Sequence, residues 1–82
     1  MNKEEIFKLI AKHTCEVIPE LEGREFKYDD RLVDLGANSI DRAVIVAMTM
    51  ESLSLQLPRV ELFGAKNMGE LADILHGKLQ SI

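Results

Sequence analysis

Cysteine is almost absent from this sequence, since Cys15 is the only one. A single thiol cannot form a disulfide within the chain, and it cannot supply the several thiolates of a structural zinc site. A reactive thiol would need a lowered pKa, so we favour a neutral structural role for Cys15. The sequence therefore indicates neither a disulfide-stabilised fold nor a metal site.

Aromatic residues and basic clusters are also scarce. Aromatics make up 5% of the residues, and no run of Lys or Arg occurs. Nucleic-acid binding needs a basic footprint, so we expect no nucleic-acid partner. The net charge of −4, from 10 basic and 14 acidic residues, instead favours partners with basic docking surfaces.

Neither a long apolar span nor a signal-peptide pattern occurs in the 82 residues. We therefore expect a cytoplasmic location without membrane association. The length predicts one small domain over residues 1–82, and we expect a monomer. Because the chain is short and 46% hydrophobic, it can support about four helices around one aliphatic seam.

Apolar residues recur at helical spacing in three segments, residues 3–17, 39–53 and 67–79. In the second helix the bundle-facing side comprises Ile45, Val46, Thr49, Met50 and Leu53. The opposite side is also apolar and comprises Ile40, Ala43, Val44, Ala47 and Met48. A small domain rarely exposes that much apolar helix, so this side is either covered by a loop or kept for a partner.

The connections carry clear turn and breaker residues. Pro19 ends the first helix, and residues 20–33 form a long loop whose apolar anchors are expected at Leu21, Phe26, Tyr28 and Leu32. Pro58 begins a short helix that Gly64 ends. The predicted fold is all-α, with three main helices and a short one.

One hydroxyl, Ser39, follows a turn that Gly36 makes possible and lies at the start of the second helix. Asn38 and Ser39 are both good helix-start residues, and Asp41 suits the first turn. Two interpretations remain open from this local chemistry. Ser39 is either an attachment point for a phosphate-linked group or a spare hydroxyl beside an ordinary cap.

Residues 34–40, with the sequence Asp-Leu-Gly-Ala-Asn-Ser-Ile, resemble the Asp-Leu-Gly-x-Asp-Ser-Leu signature of acyl carrier proteins. The similarity extends over nearly the whole chain and implies a four-helix acyl-carrier-like bundle. It also implies that Ser39 carries 4′-phosphopantetheine, which a phosphopantetheinyl transferase moves from coenzyme A. Asn38 replaces the usual Asp and removes a charge that would face this transferase.

A narrower resemblance runs through residues 38–42, 48–55 and 58–67. It is to the freestanding acetyl-donor carriers of polyketide β-branching. This resemblance implies an acyl-loading enzyme and a 3-hydroxy-3-methylglutaryl-synthase-like enzyme (HMG-synthase-like enzyme) or a ketosynthase as partners. The alternatives are a general fatty-acid carrier and an unmodified helical adaptor that binds through the face of Ile40, Val44 and Met48.

The predicted partner surface differs from that of ordinary fatty-acid carriers, which show several acidic residues along the second helix. Here the apolar strip of Ile40, Val44 and Met48 leads away from Ser39, so docking should depend more on apolar contact than on charge. The full surface comprises Ile40, Asp41, Arg42, Val44, Met48, Glu51 and Arg59.

No catalytic set is indicated by the sequence. His13 lies at the margin of the predicted core, and its spacing places no Asp or Ser beside it. The adjacent Asp29 and Asp30 do not make a metal cage. We therefore predict a carrier protein without an active site of its own.

Overall fold

The computed structural model describes residues 2–58, 62 and 64–80. Its elements are α1 (Lys3–Val17), a 3-10 helix (Pro19–Leu21), α2 (Ser39–Ser52) and α3 (Met68–Gln80). No strand occurs in these residues, so the all-α prediction is confirmed. The predicted short helix after Pro58 lies mostly outside the described residues, and the described part of the chain has three α-helices.

Helix α1 begins where a reciprocal pair of hydrogen bonds fixes its first turn. The Asn2 side chain accepts from the Glu5 N–H at 2.8 Å, and the Glu5 carboxylate accepts from the Asn2 N–H at 3.0 Å. The helix ends at Ile18 because the following Pro19 disfavours a helical residue before it. Its buried residues are Ile6, Phe7, Ile10, His13 and Thr14.

Helix α1 packs against both α2 and α3. The core between them is aliphatic, and its largest fully buried apolar side chains are Ile6, Ile10, Ile45, Met68 and Leu75. Two threonines are also fully buried. Thr14 and Thr49 each donate a hydroxyl hydrogen bond to the carbonyl four residues earlier, at 2.7 and 2.8 Å, so neither hydroxyl is left unsatisfied.

The long connection between α1 and α2 is fastened to the beginning of α3. The N–H groups of Met68 and Gly69 donate to the carbonyls of Asp30 and Tyr28, at 2.9 and 2.8 Å. A Cβ atom on Gly69 would approach the Tyr28 carbonyl oxygen to 2.8 Å, so this close contact requires glycine. The loop thereby satisfies two donors that the start of α3 leaves free.

The loop anchors are only partly those predicted. Phe26 and Leu32 pack against the core as expected, whereas the Tyr28 side chain is 47% exposed. The Tyr28 ring edge contacts Phe7, with ring centroids 4.5 Å apart, and the ammonium of Lys3 lies 5.0 Å from the Tyr28 centroid. Tyr28 therefore anchors the loop through its backbone carbonyl and one edge of its ring.

No helix in the part of the chain that the structure describes is long and apolar enough to cross a membrane.

Candidate functional site

A tight turn positions the start of α2. Gly36 has a φ of +98°, a conformation that residues with side chains rarely adopt, as its place in the motif predicts. The next residue, Ala37, is buried, and its N–H donates to the Leu32 carbonyl at 3.0 Å. These contacts fix the direction in which the chain enters α2.

The N-cap of α2 is Asn38. Its side chain accepts from the Asp41 N–H at 2.8 Å, and the Asp41 carboxylate accepts from the Asn38 N–H at 3.3 Å. The sequence analysis found good start residues here but missed this reciprocal arrangement. Because Asn38 and Asp41 do the capping, Ser39 is free of that role and is the first residue of the helix.

The Ser39 side chain is exposed, and no residue in the described part of the chain hydrogen-bonds its hydroxyl. Ser39 borders a cleft of about 840 Å³ between the loop, α2 and the start of α3. The lining from the loop includes Asp29, Arg31, Leu32 and Val33. The rest includes Arg42 and Val46 of α2, Lys66 before α3, and Glu70 and Leu71 of α3. A group attached to Ser39 would therefore have both open solvent and a lined cleft beside it.

The helical phase predicted for α2 is confirmed on the bundle side, where Ile45, Val46, Thr49, Met50 and Leu53 are all buried. On the opposite side Ile40 is 72% and Val44 42% exposed. Met48, predicted to be exposed with them, is instead half-buried, as are Ala43 and Ala47. The open apolar surface is thus concentrated at the Ser39 end of the helix.

The charged members of the predicted partner surface differ in their availability. Arg42 and Glu51 are exposed. Asp41 is half-buried, and its carboxylate is engaged in the N-terminal cap. Arg59 lies outside the described residues.

His13 is buried and satisfied on both ring nitrogens. Its Nδ1 lies 2.7 Å from Glu16 Oε1, and its Nε2 lies 2.9 Å from Ser52 Oγ at the last residue of α2. The sequence analysis placed His13 correctly at the core margin but did not identify these partners. With a rise of 1.5 Å per residue, α2 separates this cluster from Ser39 by about 20 Å. His13 therefore links α1 to α2 and is remote from the candidate site.

Cys15 and the acidic residues show no sign of a second site. Burial, and secondarily the charge of Glu22, raise the pKa of the Cys15 thiol, which favours its neutral form. The residues that the structure describes contain no group of three His, Cys, Asp or Glu side chains able to hold a metal ion.

Comparison with known proteins agrees with this geometry. The family model described as phosphopantetheine attachment site matches residues 8–75. The polyketide biosynthesis acyl-carrier-protein AcpK of Bacillus subtilis (strain 168) is 53% identical over 81 residues, which is 99% of each chain.

A solved structure is similarly close. One chain in the crystal structure of the curacin biosynthetic pathway HMG synthase in complex with acetyl donor-ACP is 51% identical, with a TM-score of 0.90. The match covers 94% of the present chain and 99% of that one. On this evidence the present chain belongs to the phosphopantetheine-attachment family of acyl carrier proteins, whose cofactor is covalently attached 4′-phosphopantetheine.

Proposed function

We propose that Ser39 bears the 4′-phosphopantetheine arm and that the chain is an acetyl-donor carrier of polyketide biosynthesis. In this function it delivers acetyl groups to an HMG-synthase-like enzyme. The observation that carries the proposal is the exposed Ser39 hydroxyl, three residues after Gly36, which has no hydrogen-bond partner among the described residues. The two relatives, one a polyketide carrier and one an acetyl donor in complex with an HMG synthase, support the same assignment.

The residues around Ser39 fit a covalently attached group. The hydroxyl is not needed for capping, because Asn38 and Asp41 satisfy the first turn. Substituting it with a phosphodiester would break no hydrogen bond of the described structure. The exposed position also admits the active site of a modifying enzyme.

Among the described residues, no side chain hydrogen-bonds the Ser39 hydroxyl as a base would. His13, which contacts α2 at Ser52, is about 20 Å from Ser39 along the helix. A serine without a base is chemically quiet, which suits a stable attachment point. A phosphopantetheinyl transferase must therefore provide the activation, and the carrier is not itself a catalyst.

When bound, the cofactor supplies a terminal thiol that holds an acyl group as a thioester. The protein contributes tethering, which raises the effective concentration of that group at a docked partner. The partners in this scheme are an acyl-loading enzyme and the HMG-synthase-like enzyme, or a ketosynthase. We further propose that residues 1–82 form one carrier domain, cytoplasmic and monomeric, with a fourth short helix after Pro58.

The surface proposed to meet the HMG-synthase-like enzyme is the apolar strip of Ile40 and Val44, with Met48 at its half-buried end. The exposed charges of α2 are Arg42 and Glu51, which are opposite in sign. Charge steering by this helix should therefore be weak, and apolar burial should dominate docking. The same composition disfavours partners that require an acidic helix.

The experiment measures acetyl transfer from the loaded carrier to an HMG-synthase-like enzyme for the wild type and for Val44→Glu. A charge at position 44 would lose its water without gaining an ion pair. We expect at least about a tenfold slower transfer, equivalent to about 1.4 kcal/mol, with folding and Ser39 modification intact. Met48→Glu should act in the same direction. Gln80→Glu, which adds the same charge at the end of α3, is the matched control.

Salt distinguishes this function from that of a general fatty-acid carrier. Wild-type transfer should fall only modestly at high ionic strength, because few exposed charge pairs are screened. For a charge-steered general carrier the pattern is reversed: salt would abolish transfer, and Val44→Glu would not slow it. Unimpaired transfer by both Glu variants would remove the case for a dedicated donor.

A further inference from the structure

Two cations, Arg42 and Lys66, line the cleft beside Ser39. Arg42 lies three residues after Ser39 on α2, a spacing that places both side chains on one face of the helix. Lys66 lies on the other wall, two residues before α3 begins. Neither the Arg42 guanidinium nor the Lys66 ammonium contacts a carboxylate in the described part of the chain.

The other charged groups of the cleft are one further cation, Arg31, and two carboxylates, Asp29 and Glu70. Arg31 is paired with Asp34, with 3.7 Å between Arg31 Nε and Asp34 Oδ2. The Glu70 carboxylate accepts the Lys66 backbone N–H at 3.2 Å. Asp29 is the remaining carboxylate on the lining. The lining thus carries three cations and two carboxylates, so the cleft is slightly positive in a chain of net charge −4.

We propose that Arg42 and Lys66 bind the phosphodiester of the arm on Ser39. This inference rests on the proposed function, since it requires the arm to be attached at Ser39. Arg42 offers the planar donor pattern that suits phosphate oxygens, and Lys66 adds a point charge from the opposite wall. The attached group would thereby tie the first turn of α2 to the segment that leads into α3.

This arrangement has a consequence for stability. Without the arm, Arg42 and Lys66 place two positive charges on the lining of the same cleft. With the arm, the single negative charge of the phosphodiester lies between the two cations and ties α2 to the segment before α3, which is distant in sequence. The modified protein should therefore melt at a higher temperature than the unmodified one, by an amount that salt reduces.

The experiment compares unmodified and modified forms of the wild type, Arg42→Gln, Lys66→Gln and the double variant. Lys12→Gln is the matched control, because Lys12 is exposed on α1, has no ion-pair partner in the described residues and lies off the cleft. Intact mass first verifies modification of each protein. Thermal melting and the 31P NMR shift of the phosphodiester are then recorded at low and high salt.

We expect modification to raise the melting temperature of the wild type and of Lys12→Gln by on the order of 2–6 °C. In the double variant the rise should disappear, and the 31P resonance should move to its position in the urea-unfolded protein. Each single variant should show an intermediate effect.

Two failures are distinguishable. If the double variant is modified and keeps both the wild-type melting difference and the wild-type 31P shift, phosphodiester binding by Arg42 and Lys66 is disproved while attachment stands. If mass analysis finds no modification of the wild type, the proposed function fails and this inference fails with it.

Discussion

The two serines at the ends of α2 are both exposed, but their hydroxyl groups differ in what they contact. Ser39 begins the helix, is exposed and has no hydrogen-bond partner among the described residues. Ser52 ends it and lies 2.9 Å from the Nε2 atom of His13, which belongs to α1. One hydroxyl is left available, and the other joins two helices.

The difference shows how a small bundle can separate its stability from its chemistry. At the Ser52 end the helix is held by His13 and by the burial of Leu53. At the Ser39 end the capping is done by the neighbours Asn38 and Asp41, and the adjacent Ile40 faces solvent. Changes at the first end should therefore alter folding, and changes at the second should alter partner reactions.

The largest difference in stability is expected between apolar truncations at the two ends of α2. Leu53→Ala should lower the free energy of unfolding by about 2–5 kcal/mol, because Leu53 is buried in the core. Leu71→Ala in α3 should cost a similar amount. Ile40→Ala should stay within about 0.5 kcal/mol, since Ile40 is largely exposed. Denaturant titrations measure all three, and equal losses at positions 53 and 40 would contradict the proposed separation.

An intermediate loss of stability is expected from a substitution at the contact between α3 and the loop that approaches Ser39. Gly69→Ala would place a Cβ 2.8 Å from the Tyr28 carbonyl oxygen, so the loop must shift and the cost should be about 1–3 kcal/mol. Gly77→Ala is the matched control in the same helix, because nothing lies within 4 Å of the added Cβ. It should stabilise α3 by about 0.5–1 kcal/mol. Melting curves in which both variants shift the same way would show that the loop contact is not restrictive.

The smallest change in the free energy of unfolding is expected when one of the two serine hydroxyls is removed. Ser52→Ala leaves the His13 Nε2 atom without its partner and should cost about 0.5–1.5 kcal/mol. Ser39→Ala removes no hydrogen bond of the described residues and should leave the free energy of unfolding unchanged. A loss at Ser39 equal to that at Ser52 would indicate a structural role for the Ser39 hydroxyl.

The helices could be predicted from the sequence because local signals define them. The 3.6-residue periodicity placed α2 within one residue of Ser39–Ser52, with its buried side correctly assigned. Gly36 was correctly expected in a turn. The start of α3 follows a similar local signal, since the Glu70 N–H donates to the Asn67 side chain at 2.8 Å.

Contacts between residues distant in sequence could not be predicted in the same way. His13 and Ser52 are 39 positions apart, and only the packing of α1 on α2 brings them together. The cleft that joins Ser39 to Lys66 likewise depends on how the loop is fastened to α3. The half-burial of Met48 was missed because helical phase alone does not show how neighbouring segments cover a face.

The central claim is that Ser39, and no other hydroxyl, is the attachment point. Wild type, Ser39→Ala and Ser52→Ala are each incubated with coenzyme A, Mg²⁺ and a broad-specificity phosphopantetheinyl transferase, and intact mass is measured. We expect the gain of one phosphopantetheine in the wild type and in Ser52→Ala, and none in a normally folded Ser39→Ala. A gain in Ser39→Ala would place the arm elsewhere, and no gain in the wild type would favour the unmodified adaptor instead.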